Sequence, residues 1–571
     1  MPRILRPDSW PRCSCSVRIR RSVAWFSLLP AHPHRSISLS RSDFLSPFGG
    51  ACQHGGVNAP PARSTDVLVA GAGPTGLLLA VALASLGVDV LVVDRKLGPT
   101  RESRALGIQA RTLEILDQLG IVDEFLSLAT TASAVSPGFE RRSFGTVPIG
   151  RLGAVVSPFP GIHVLEQSRT ERILTDRLTA LGVTVLWGHS ITGLDHSRSG
   201  IDAVVEGPGG REAVHAAYCV GADGASSFVR KRTGIPFEGI TNEHIFYVAD
   251  AHGVSGLPAD RINVRLGTED FLVTFPMGPG GHVRVLGTIR LTGSQEAVTE
   301  PEARARLAAV FGVEYDSTSW FSTYRISHRV AATFREGRVF LAGDAGHVHS
   351  PVGAQGMNTG LQDAHNLALK LANVLRHDYP PATLNQYDAE RRPVALRLTS
   401  TTDRAFGAVT SSARRAVFIR RRLLPLVLPV AVRLLPRLPG APRLFEYVSQ
   451  VRIHYWMSEE ARRTGRRGSV VGRRLPWTGT NFDVLRSLEW QVHVYGPVAA
   501  RDAIRVRSFV SLPVHQFEST GNTRLVPGWF YLIRPDGFVA AEAAGGAAAR
   551  KFRRALDAAG VPRRPTERVP G

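Results

Sequence analysis

Six residues, Gly71-Ala72-Gly73-Pro74-Thr75-Gly76, constrain this chain more than any other stretch. They follow the short apolar run Val67-Leu68-Val69-Ala70, which reads as a buried strand. They precede a helix-forming apolar run at 77–86, ended by Gly87, and a second strand-like run at 88–93 that stops at Asp94. In such a βαβ unit the first glycine makes the tight turn and the second lets backbone approach a pyrophosphate. The third lets helix and strand pack closely. The helix N-terminus adds free N–H groups and the positive end of its dipole. Asp94 stands 18 residues beyond Gly76, where a carboxylate reaches ribose hydroxyls. A GxGxxG pattern alone is a weak signal. In this context it predicts adenine-dinucleotide binding by Gly71, Gly73, Gly76, Asp94 and the adjacent Arg95.

A second constrained stretch spans 338–370. The apolar run Val339-Phe340-Leu341-Ala342 reads as a buried strand, broken by Gly343-Asp344 where a carboxylate meets a ligand hydroxyl. Pro351-Val352-Gly353-Ala354-Gln355-Gly356-Met357-Asn358 places glycines where backbone approaches something flat or bulky. From Thr359 the apolar spacing turns helical, through Leu361, Ala364, Leu367, Ala368 and Leu371. Between the two stretches lie three further segments: Ser103-Arg104-Ala105 with Ala110-Arg111-Thr112-Leu113-Glu114, the Gln167…Glu171 pair, and Ala222-Asp223-Gly224-Ala225-Ser226-Ser227-Phe228-Val229-Arg230. Read alone, Arg111 and Glu114 are an i,i+3 pair on a helix surface. Gln167 is an ordinary cap, and Asp223-Gly224 is a capped turn.

Taken together and in this order, the segments resemble single-component FAD-dependent aromatic hydroxylases, the p-hydroxybenzoate hydroxylase-like family. The likeness is greatest to its larger members, those acting on polyketides, rifamycins and phenols. It implies FAD contacts at Arg104, Gln167, Asp223, Gly343, Asp344, Pro351, Gly356, Met357 and Asn358, besides the glycine fingerprint. Three positions depart from the family pattern: Leu369 for tryptophan, Gly346 for alanine and Ala354 for glycine. None removes a polar group the cofactor needs.

Residues 236–330 change to short β-branched and aromatic runs separated by Gly and Pro, which predicts an antiparallel sheet. The resemblance makes this sheet the roof of a substrate pocket, with Phe246, Phe271, Phe275 and Met277 as candidate lining; each also reads as plain core. The expected fold class is α/β, or α+β overall. A Rossmann-like FAD-binding domain at 64–405 carries the inserted antiparallel-sheet domain. A helical linker follows at 406–470, with Leu423-Leu424-Pro425 onward to Leu435 as a packed or surface helix and Arg415 and Arg420–Arg422 solvated. Residues 471–571 reopen as strands at 492–495, 504–506 and 529–534 with a helix at 547–559, resembling a thioredoxin-like domain. It has no C-x-x-C, so thiol redox chemistry is excluded there.

The resemblance implies that NAD(P)H, either NADPH or NADH docking transiently, reduces FAD, and that O2 adds at flavin C4a. The hydroperoxide then passes an electrophilic oxygen to an electron-rich aromatic carbon of a phenol or polyketide. No catalytic base is assigned from sequence. Baeyer–Villiger insertion into a polyketide remains open on the same scaffold, as does a non-catalytic flavin-binding sensor or drug-binding protein. Halogenation lacks its W-x-W-x-x-I-P motif.

Net charge is +21, and only four of 69 basic residues are lysine. Without an aromatic-interleaved basic stripe this argues for a solvated surface and no nucleic-acid partner. Four cysteines, three of them at 13, 15 and 52, do not make a disulfide framework and suit a reducing cytoplasm. No apolar run reaches the ~20 residues of a membrane span, so no membrane partner is expected. His347-Val348-His349 has no metal-site spacing around it, and no metal is expected. The chain is expected as monomer or homodimer. Residues 1–63 are rich in Arg, Ser and Pro and read as a foreign extension. A transit peptide, a brief secretory signal at 23–30 and translation beginning downstream, as at Val57, all stand; the last is preferred.

Overall fold

The computed structural model describes residues 63–101, 105–278, 280–290, 298–349, 355–411, 413–455, 469–519, 521 and 524–563. Arg104, Pro351 and the extension before residue 63 lie outside them. Leu68, Val69 and their neighbours are shielded on both faces, as a central parallel strand requires. The strand Arg63–Ala70 pairs in parallel with Val90–Asp94 on one side and with Gly210–Gly221 on the other. Val339–Leu341 and Leu186–Trp187 extend the sheet outward. The chain leaves Arg63–Ala70 in one direction and returns on the other side, so a crevice opens at the strands' carboxyl ends. That switch point is where doubly wound sheets take their ligands. Helices Pro74–Ser85 and Gly356–Arg376 pack together over this sheet.

The inserted sheet is larger than expected. Its order is His347–Val348, Ser317–Ala331, Phe237–His252, Val283–Arg290, Phe271–Pro276, Ile262–Leu266, Val135–Phe139 and Arg142–Ser143. The two last strands come from well before residue 236, and Val135–Phe139 joins in parallel. One face buries Tyr247, Leu272 and Val285 against the helix Glu300–Phe311. The other turns Phe246, Phe271, Phe275 and Leu286 toward Phe144, Ile149, Val432 and Phe445.

Past the helix Asn385–Thr410, the segments Arg414–Phe418, Ile419–Leu423 and Leu424–Leu434 follow one another as a rod. Arg420 is not solvated as expected. It is buried and donates to the carbonyls of Thr268 and Ser411. Arg421 and Arg422 are exposed.

The last sheet runs Val514–Phe517, Gln491–Tyr495, Trp529–Ile533, Val539–Ala544, with only the first pair parallel. Ile504-Arg505-Val506 is not a strand. It belongs to the helix Ala500–Val510, which must cross over between the two parallel strands and buries Val506 and Val510. The closing helix is Ala548–Ala558.

Candidate active site

A cleft of about 360 Å³ opens at the switch point. Of the residues expected there, it brings together Gly71, Gly73, Asp94, Arg95, Gln167 and Asp223. Gly71 has φ +103°, and a Cβ on it would lie 2.4 Å from the Ala222 carbonyl oxygen. A Cβ on Gly76 would lie 1.9 Å from the Gly71 oxygen, so this glycine serves packing and lies off the cleft wall. Gly73 differs from both. A Cβ there would meet nothing within 4 Å. Nothing in the fold demands its glycine, which leaves close approach by a ligand as the reason for it.

Asp94 accepts from the backbone N–H of Ala72 (2.6 Å) and of Lys96 (2.8 Å), which ties the glycine turn to the second strand. A carboxylate has about four acceptor positions, so capacity for ribose hydroxyls remains. Asp223 Oδ2 accepts from the amides of Phe228 (2.7 Å) and Val229 (3.2 Å) and caps the helix Phe228–Arg232. Its Oδ1 is buried with no hydrogen-bond partner. A buried acceptor on a cleft wall is costly unless something donates to it. These features fit a dinucleotide.

Sequence reading missed a cluster on the cleft wall. Lys96 Nζ donates to Thr100 Oγ1 (3.0 Å) and to Glu171 Oε2 (3.3 Å). The fully buried Glu171 also accepts from the Thr100 amide (2.7 Å) and Gln167 Nε2 (2.8 Å). Glu171 stood in the noted Gln…Glu pair, and Lys96 is one of only four lysines. Those were the available signals.

The second fingerprint meets the first directly. Gly343 (φ +59°) and Gly360 both lie against Thr75, whose Oγ1 would be 2.6 and 2.4 Å from a Cβ on each. Asp344 lies deep among protein atoms yet exposes its carboxylate. That depth raises its pKa, and His347 opposes the rise. Behind the turn, fully buried Asp363 accepts from Arg391 Nε (2.6 Å) and the Gly343 amide (3.3 Å) and bonds His347 Nε2 (2.7 Å). Burial pushes the Asp363 carboxyl up, but Arg391 and His347 outweigh it and hold it below the usual range.

The helix expected from Thr359 already begins at Gly356. Met357 packs against the Rossmann core, and Gly356 lies near His349. Asn358 is buried and turned to protein. Its Oδ1 accepts from the Gln109 amide (2.8 Å) and Thr112 Oγ1 (2.7 Å), and its Nδ2 donates to the Gly107 carbonyl (2.7 Å). It therefore pins the segment before the helix Ala110–Gln118 to the start of the second-fingerprint helix.

Arg111 and Glu114 are not a surface pair. Both are buried, 3.1 Å apart. Glu114 also takes Arg474 Nε (2.9 Å) and Nη2 (2.5 Å) and the Ser157 hydroxyl (2.7 Å). Burial raises its carboxyl, and the two arginines more than offset this.

Phe246, Phe271, Phe275 and Met277 do not line the dinucleotide cleft. They share the inner face of the inserted sheet. Register puts Phe275, Arg284, Asp250 and Trp320 in one row across that face. Arg284 donates to both oxygens of Asp250, at 2.5 and 2.6 Å, and lies over the Trp320 ring. Among the described residues no group of three or more His, Cys, Asp or Glu side chains is placed to hold a metal.

Comparison with known proteins matches residues 64–402 to the FAD binding domain family. The chain is 38% identical, over 58% of its length and 67% of the relative's, to 12-dehydrotetracycline 5-monooxygenase/anhydrotetracycline 6-monooxygenase of Streptomyces rimosus subsp. rimosus. It is 31% identical to dialkyldecalin synthase of Streptomyces rugosporus, over 84% of this chain and 96% of that one. Among solved structures, the OxyS anhydrotetracycline hydroxylase of Streptomyces rimosus aligns with TM-score 0.70 and 30% identity. That alignment covers 88% of this chain and all of the other. With the glycine cradle, the capped Asp223 and the Asp94 anchor in place, this chain belongs to the FAD-binding aromatic monooxygenase family.

Proposed function

We propose that this enzyme hydroxylates a phenolic ring of a polycyclic, polyketide-type aromatic substrate, using FAD, NADPH or NADH, and O2. The observation that carries the proposal is the joining of two sites through one turn. Gly343-Asp344 touches the first fingerprint through Thr75, and the same chain passes through His347–Val348 into the inserted sheet with its aromatic face.

In this reading Gly71, Gly73 and the N-terminal amides of Pro74–Ser85 hold the pyrophosphate, with Asp94 on the ribose. Lys96 brings positive charge to the same wall, and Gln167, Asp223 and Asp344 supply the remaining polar contacts. Bound FAD supplies the redox and oxygen chemistry. The N-terminus of the 21-residue helix Gly356–Arg376 would offer partial positive charge to a bound flavin, whose reduced form is anionic. The face bearing Phe246, Phe271 and Phe275 excludes water and orients a flat ring. Arg284, held by Asp250, gives that face a cation for a phenolate or quinone oxygen. The C-terminal sheet is read as a thioredoxin-like unit whose work is packing, since its strands carry no cysteine. The extension is read as outside the working enzyme, and the cytoplasm as its place.

The test uses FAD-loaded protein with NADPH, O2 and a panel of polycyclic phenols. Oxidation of NADPH stimulated by one phenol, with a product one oxygen heavier, is the expected result. The likeness to a decalin synthase over nearly its whole length supports a second reading, formation of a ring. Product of unchanged mass, formed without NADPH consumption, selects that reading. An oxygen inserted with ring opening selects Baeyer–Villiger chemistry.

A further inference from the structure

The helical rod Arg414–Arg437 turns by 103° into Pro442–Val448 and has two apolar faces. Leu428, Val432 and Leu435 face inward onto the cluster that holds Phe246 and Phe271. On the opposite side Leu423, Leu426, Val427, Val430 and Leu434 follow i, i+3, i+4, i+7, i+11 spacing, a single stripe along a helix. All five are open to solvent, Leu426 at 71% and Val427 at 59% of full exposure. Ile419 and Leu438 continue the exposed apolar surface at either end. Apolar surface of this continuity is rare on a free protein and marks something it touches.

Charge identifies what. From 404 to 445 the chain has nine arginines and neither aspartate nor glutamate. Arg422 and Arg433, 11 residues apart, form an exposed row along one flank of the stripe, with Arg415 exposed beyond the π-helical turn Ile419–Leu423. A second copy of this chain docked stripe to stripe would bring two arginine rows together with no acid from the rod to separate them. An anionic lipid leaflet meets both features at once: acyl chains take the leucines and valines, and headgroup phosphates take the arginines. No single helix among the described residues is long and apolar enough to cross a bilayer. Only together with Pro442–Val448, across the 103° bend, does the rod reach the length and apolarity of a span; with its inner face packed on the core, the exposed face is the one left to meet a leaflet.

We propose that the exposed stripe of Arg414–Arg437 is a peripheral docking surface for an anionic membrane. The test is flotation of the FAD-loaded full chain with phosphatidylcholine vesicles, with and without phosphatidylglycerol, at low and high salt. Flotation with the anionic vesicles is expected, falling about tenfold with neutral vesicles or in high salt. The double variant Leu426→Glu/Val430→Glu is expected to lose flotation about tenfold while keeping its flavin and melting temperature, because both side chains face solvent. Arg422→Gln/Arg433→Gln, which leaves the apolar stripe intact, is expected to weaken flotation selectively with anionic vesicles. Absence of flotation with anionic vesicles overturns the proposal. So does equal flotation of the Leu426/Val430 variant, or a dimer of the parent that the same variant splits without any vesicle binding.

Discussion

At the residue scale, Gly71 and Gly73 carry the same letter for different physical reasons. A methyl on Gly71 would collide with the Ala222 carbonyl in a backbone conformation that L-residues rarely adopt. A methyl on Gly73 would enter open space on the cleft wall. Gly73→Ala is therefore expected to weaken FAD binding by about tenfold or more, near 1.4 kcal/mol. Flavin-free protein should lose at most about 1 kcal/mol, the cost of alanine at a helix N-cap. Gly71→Ala should lower both. Flavin titration by fluorescence, beside denaturation of the flavin-free proteins, checks the pair; equal stability losses would contradict the distinction. The sequence pattern shows both glycines but is silent on which serves the ligand, because that depends on Ala222, some 150 residues away. The resemblance implies a cofactor contact at Asn358 and is silent on the bonds its side chain makes to Gln109, Thr112 and Gly107, which depend on a segment some 250 residues away.

At the scale of elements, the short β-branched runs of the inserted sheet and the periodic helices were legible, and the run at 504–506 was not. Ile504-Arg505-Val506 has strand-like composition, yet Ile504 is exposed and Val506 buried on a helix that the parallel pairing of its neighbouring strands requires. Periodicity over so short a run does not separate the two states. The helix Ala110–Gln118 shows a second limit. Its i,i+3 pair was visible, but its burial follows from Arg474, 360 residues away. Removing Glu114 leaves two guanidinium groups buried without their carboxylate, so Glu114→Ala is expected to cost about 3–5 kcal/mol. Arg474→Met added to it should recover part of that loss, since one uncompensated charge goes with it. A double-mutant cycle by urea denaturation measures the coupling; simple additivity would mean the two side chains do not share a network.

For the whole molecule, acid is the expected weakness. Burial lowers the pKa of His163 to about 4 and of His365 and His493 to about 3. They sit in the small sheet Gly107–Ile108/Ile162–Val164/Thr130–Ala132, in the helix Gly356–Arg376 and in the C-terminal sheet. An unfolded histidine takes up its proton near pH 6.5, and these folded ones resist until far lower pH. Below about pH 6.5 the unfolded chain therefore binds more protons, so stability is full above that pH and falls as acid is added. With about 1.4 kcal/mol per site per unit, the three together give up to about 4 kcal/mol per pH unit above pH ~4. Denaturation between about pH 7 and pH 5 tests this; His365→Gln should remove roughly a third of the slope, and a flat profile would refute it.

The Rossmann unit and its βαβ order were readable because their signals are local. The association of the C-terminal sheet with them was not, because its clasp consists of single charges scattered along the chain. Arg534 binds both oxygens of Glu390, which also takes Lys370, while Arg474 holds Glu114. That clasp bears on how such proteins can be recombined. A chimera that exchanges the last hundred or so residues for those of another chain inherits Glu114 and Glu390 as buried carboxylates that keep Arg111 and Lys370 but each lack one guanidinium. The junction is thus a lock keyed by Arg474 and Arg534, and any successful graft must carry both keys.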